Sequence, residues 1–169
     1  MRRGPWIIMA LAVLTSAITV GSGSAAAAET AGGWTWPVVG PVIQGFDPPD
    51  TPYGSGHRGI DIAAEVGTTV VAPADGTVTF AGPVGGYLFV TIDHGGGLSS
   101  TYSWLSAKLV RKGDRVLQGQ PIAQTGWGHP AAPIPHLHLG VKLDGAYVDP
   151  LSYLGPVSLA TFVRLAPLP

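Results

Sequence analysis

Between Trp34 and about Gly155 the sequence breaks into short runs of Val, Ile, Thr, Phe and Tyr, and Gly, Pro or Asp closes almost every run. β-Branched and aromatic residues suit a pleated, half-buried surface, whereas glycine and proline punctuate turns. Many short strands with tight connections are therefore predicted. Thr68–Val71, Thr77–Ala81, Leu88–Asp93, Ser100–Trp104, Pro121–Gln124 and His136–Leu143 are the clearest examples. Apolar residues do not recur at helical spacing in this span, so the expected fold class is all-β. Only 11% of the residues are charged, while 25 are glycine and 16 proline. Such a balance belongs to strands buried on at least one face and joined by many turns.

The first 28 residues read differently. Arg2 and Arg3 precede an almost wholly apolar run from Trp6 to Val20, and Ala26-Ala27-Ala28 offers a small-x-small cleavage site before Glu29. The apolar run is about 15 residues, short of the roughly 20 that cross a bilayer as a helix, so residues 1–28 are expected to be a cleaved secretory signal rather than an anchor. No stable membrane insertion is expected after cleavage. Residues 29–33 read as a short linker, 34–155 as the domain and 156–169 as an apolar tail, either a last packed strand or a loose end.

Without the signal the chain carries seven basic and ten acidic residues, a formal charge of −3, and nothing in it suggests nucleic acid. An exported chain with no cysteine has no disulfides, and its stability must come from an apolar core, short loops or bound metal. Any metal would be held by His, Asp or Glu.

All five histidines lie between positions 57 and 138. In Gly56-His57-Arg58-Gly59-Ile60-Asp61, His57 and Asp61 are four residues apart, and an extended strand would project both from one face. In Pro135-His136-Leu137-His138-Leu139 the imidazoles share one face and the leucines the opposite, core-facing one. Convergence of two such strands gives two or three imidazoles and a carboxylate, the donor set of a zinc site with an open position for water or substrate. Hydrolysis is the chemistry such a site performs.

With these segments in view, the chain resembles the lysostaphin/LytM-type zinc metallopeptidases of cell-wall peptidoglycan. The resemblance runs from Trp34-Thr35-Trp36-Pro37 through GHRGIDIAAEVGTTVVAPADGTVTFAG, VTIDHGGGLSSTY, KGDRVLQGQPIAQTG and PHLHLGV to Val148-Asp149-Pro150. It implies a compact antiparallel β-sheet core whose loops form a groove, one Zn²⁺ held by His57, Asp61 and His138, and His136 outside the metal shell as a catalytic residue. It also implies a secreted or wall-associated endopeptidase acting on peptidoglycan stems or cross-bridges. The alternative is a weakened or inactive peptidoglycan-binding module, or an activator of another wall hydrolase.

One departure carries weight. Where active members read Tyr-x-His-Leu, this chain has Tyr102-Ser103-Trp104-Leu105. Indole donates one hydrogen bond but cannot accept a proton near neutral pH, so proton handling is expected to fall mainly on His136, with His129 as a candidate helper. Tyr102, Trp104, His129 and Arg58 are expected to flank the groove. His94, in Asp93-His94-Gly95-Gly96-Gly97, is expected to serve a turn or a hydrogen bond, and Trp34 and Trp36 to be buried at the domain's N-terminal edge rather than to stack on sugar rings. Gly-Asp turns such as Lys112-Gly113-Asp114 are also found in biotinyl carrier domains, but no lysine here sits at a hairpin tip between methionine-like neighbours.

Overall fold

The computed structural model describes residues 33–156 except 52, 53 and 131. The expected signal (1–28), most of the linker and all but the first residue of the tail lie outside the described residues. Ten strands form one antiparallel sheet: β1 Val42–Gln44, β2 Ile60–Ala63, β3 Thr69–Val71, β4 Gly76–Val84, β5 Tyr87–Gly95, β6 Leu98–Lys108, β7 Arg115–Val116, β8 Pro121–Thr125, β9 His136–Leu143 and β10 Ala146–Val148. The six runs singled out in the sequence all become strands, with ends that move by a few residues. No described helix is longer than the single 3₁₀ turn Pro150–Ser152, so none is long and apolar enough to cross a membrane.

The main path through the sheet is β1-β2-β9-β6-β5-β4-β7, with β10 on β9 and β8 joining β3 to β6. Period-two alternation sends Ile60 and Ile62 of β2, Leu137, Leu139 and Val141 of β9, and Val90 and Ile92 of β5 into one core, all fully buried. Burial of a branched aliphatic side chain contributes about 1.5–3 kcal/mol, so this shared layer pins the registers of β2, β9, β6 and β5.

The two ends of the described chain meet. Trp34 forms a parallel bridge to Leu154, its amide donating to the Tyr153 carbonyl (3.1 Å) and its carbonyl accepting from Gly155 (2.8 Å). The Trp36 indole donates to the Gly155 carbonyl at 2.8 Å. Trp34 is buried as expected, against Tyr153 and His94.

Candidate metal centre

Register builds the centre of the site. Asp61 of β2 lies directly across from His138 of β9, and Ala63 lies across from His136. Directly paired residues in an antiparallel ladder hold their Cβ atoms within about 5.5 Å, so Asp61 and His138 meet on the face opposite Leu139. The contact follows: His138 Nδ1 is 2.8 Å from Asp61 Oδ1.

His57 arrives by another route. The sequence pattern placed it in one strand with Asp61, but β2 begins only at Ile60, and His57 sits in an isolated antiparallel bridge with Asp47. Its ring is aimed instead by the Gly45 carbonyl, 2.7 Å from Nδ1. A carbonyl only accepts, so Nδ1 carries the proton and Nε2 presents its lone pair. That Nε2 is 3.1 Å from Asp61 Oδ1 and 3.0 Å from His138 Nδ1. Gly59 lets the strands close here: a Cβ at this position would lie 2.3 Å from the Leu139 carbonyl oxygen.

His57 Nε2, Asp61 Oδ1 and His138 Nδ1 thus face one another across 2.8–3.1 Å. All three are electron-pair donors, and a proton on His138 answers only part of the demand. Tetrahedral zinc with bonds of about 2.0–2.2 Å would set such atoms roughly 3.3–3.6 Å apart, so the three donors would open by less than about 1 Å to hold it. Two imidazoles and one carboxylate, one imidazole fixed by a backbone carbonyl behind it, fit a zinc ion with an open fourth position.

Asp61 is the hub. Its second oxygen, Oδ2, is 3.2 Å from His129 Nε2 and 3.6 Å from His136 Nε2. Burial alone would raise its carboxyl, yet the hydrogen bond and charge of His138, with the charges of His57 and His136, outweigh this and hold it down to about 2. His136 is 1% exposed, and its Nδ1 donates to the Ile134 carbonyl at 3.0 Å, leaving Nε2 with a lone pair and no hydrogen-bond partner. Gly128, at φ 101°, packs its backbone on this ring; a Cβ there would lie 2.3 Å from His136 Cε1.

Trp104 owes its place to the backbone. β6 pairs with β9 as far as Ser103, opposite His138, and with β8 from Leu105 onward. At the change of partner Trp104 adopts φ 56°, a left-handed conformation that costs a bulky residue about 1–3 kcal/mol. Strict alternation would put it on the Tyr102 face. Instead its indole stands edge-on to His138 (5.3 Å between ring centroids) and His129 (5.2 Å), with Phe89 behind at 6.0 Å.

The structure therefore gathers His57, Asp61, His138, His136, Trp104 and His129. It does not place Tyr102 with them. Opposite Leu139 in the ladder, Tyr102 points into the core, fully buried, and its hydroxyl is 2.8 Å from Ser100 Oγ. The Arg58 guanidinium donates to the Gly54 carbonyl at 3.2 Å. Sequence reading missed the two carbonyls behind the histidines, Gly45 and Ile134, because any residue supplies one.

The sequence profile of Peptidase family M23 matches residues 55–150, spanning His57, Asp61, Trp104, His129, His136 and His138. The chain belongs to this family. The M23 assignment bears out the resemblance to lysostaphin-type enzymes: the catalytic domain of the antimicrobial peptidase lysostaphin from Staphylococcus simulans is 27% identical, with a TM-score of 0.54 over 63% of this chain and 86% of that one. A zinc-containing peptidase from Vibrio cholerae is 28% identical, with a TM-score of 0.62 over 75% of this chain and 41% of that one. Among curated M23-like relatives, the murein hydrolase activator NlpD of Salmonella dublin is 37% identical over 123 residues, 72% of this chain and 31% of the relative. The chain spans between 31% and 42% of the length of the first curated relatives it matches.

Proposed function

We propose that this chain is an exported zinc metalloendopeptidase that hydrolyses peptide bonds in peptidoglycan stems or cross-bridges. The observation that carries the reading is the convergence of His57, Asp61 and His138, with the lone pair of His136 beside them. Zinc held by those three groups supplies a Lewis acid for the scissile carbonyl and favours deprotonation of water near neutral pH.

The protein's own groups do the rest. Asp61 Oδ1 binds with the two imidazoles, and the Gly45 carbonyl keeps His57 in the tautomer that leaves Nε2 free. His136 Nε2 takes the proton of the attacking water and returns it to the departing amine, while the Ile134 carbonyl steadies the imidazolium formed between those steps. Trp104 walls the ligands and excludes water but moves no proton.

A second reading, a wall module that binds peptidoglycan and activates another hydrolase, is favoured by Trp104 and by relatives named as murein hydrolase activators. The deciding experiment measures amino termini released from peptidoglycan with and without chelator. Chelator-sensitive release that disappears in His57→Ala supports the peptidase. Stoichiometric zinc with no release from any wall preparation, together with stimulation of a separate hydrolase, supports the activator.

A further inference from the structure

We propose that the far side of Asp61 is a second divalent-cation site, formed by Asp61 Oδ2, His129 Nε2 and His136 Nε2, so that one carboxylate bridges two ions. It rests on the reading of His57, Asp61 and His138 as the first site, and shares Asp61 with it.

The three donor atoms lie within 4.8 Å of one another, with His129 at 3.2 Å and His136 at 3.6 Å from Oδ2. The independent observation is His136 Nε2. It is buried, it has no hydrogen-bond partner, and its tautomer is fixed by the Ile134 carbonyl, so a lone pair is aimed at a carboxylate oxygen. Buried polar atoms are rarely left unpartnered, and a pair of acceptors facing each other calls for something positive between them. A proton on His129 serves Oδ2 but not His136; a cation serves all three.

The surroundings fit an ion that comes and goes. His136 is immobilised by the Gly128 backbone, whereas the His129 side chain is 34% exposed and stands in a loop against the Trp104 indole, 4.6 Å between ring centroids from His136. One fixed imidazole, one shared carboxylate and one accessible imidazole make a weaker site than the first. The donor set selects zinc, cobalt, nickel or copper over magnesium and calcium, which take oxygen ligands. An ion held there occupies the lone pair that His136 uses for the proton, so filling the second site opposes hydrolysis at the first.

The test is equilibrium dialysis of the untagged chain against zinc, paired with cobalt substitution followed by absorption and electron paramagnetic resonance. Two ions per chain are expected, bound in two steps, with the dicobalt signal attenuated by coupling through the shared carboxylate. His129→Ala should lose the weaker ion, leave the tighter step unchanged and restore the uncoupled cobalt signal; His129→Asp, which returns an oxygen donor, should recover the second ion. Saturation at one ion that is lost in His57→Ala overturns the second site and leaves the peptidase reading standing. A second ion retained in His129→Ala also overturns it. Failure to bind any ion overturns both readings.

Discussion

Histidine meets two environments in this molecule. His94 donates from Nδ1 to the Asp75 carbonyl (2.8 Å) and accepts at Nε2 from the Ser100 hydroxyl (2.8 Å), whose oxygen in turn accepts from Tyr102 (2.8 Å). Every donor in that chain has an acceptor, and a neutral imidazole completes it. Around Asp61 the arrangement is reversed: the lone pairs of His57, His138 and His136 are turned inward by carbonyls behind them or by strand register. Hydrogen bonding satisfies the first cluster without outside help, whereas the second is complete only with added positive charge. The difference separates a structural histidine from a ligand set more sharply than exposure does, since both regions are largely buried.

The largest break between the regions is expected from Asp61→Ala, which removes both oxygens from the hub. Zinc content and chelator-sensitive release of amino termini should both vanish, while His94→Ala should keep full zinc content. Loss of zinc in His94→Ala would erase the distinction. His136→Ala comes next: kcat should fall by about 10²- to 10⁴-fold with the tighter zinc retained, the range for losing a positioned acid–base group. Gly128→Ala forces a Cβ into the His136 ring at a backbone angle that L side chains resist. A drop of about 10² in kcat is expected, because an ångström of misplacement costs that much. Tight zinc binding through His57 and His138 should persist, as dialysis would show.

The smallest effect concerns stability at the other histidine. Burial, the dominant influence, pushes His94 below its ordinary value of 6.5 against the pull of the Asp75 carbonyl and of nearby carboxylates. Between the native and unfolded values the unfolded chain binds more protons. The His94 contribution is thus fully present above pH 6.5 and is lost as pH falls through the native value. His94→Ala should lower stability by about 1–3 kcal/mol in denaturant titrations at pH 8, and should flatten the slope below pH 6.5. Asp61 titrates in a separate window: its contribution is present above 3.8 and disappears as pH falls through about 2.

Much of this was legible in the residues. Alternation in His136-Leu137-His138-Leu139 set the face of each side chain correctly, and turn residues bounded the main strands. What escaped had non-local causes. His57 lies outside β2 and is steered by a carbonyl twelve residues away. Tyr102 faces the core because of its register with Leu139, and Trp104 turns to the site because β6 changes partners there. His129 was expected only as a candidate helper in proton handling, and the fold of its loop is what brings it to Asp61.

The Trp34–Leu154 bridge bears on how such a unit is assembled into larger proteins. The chain enters and leaves through adjacent backbone beside Tyr153 and His94, so the domain is closed on itself before any flanking sequence is added. A plug with both leads on one side can be spliced into polypeptides of very different length without re-routing the strands that carry Asp61 and His138.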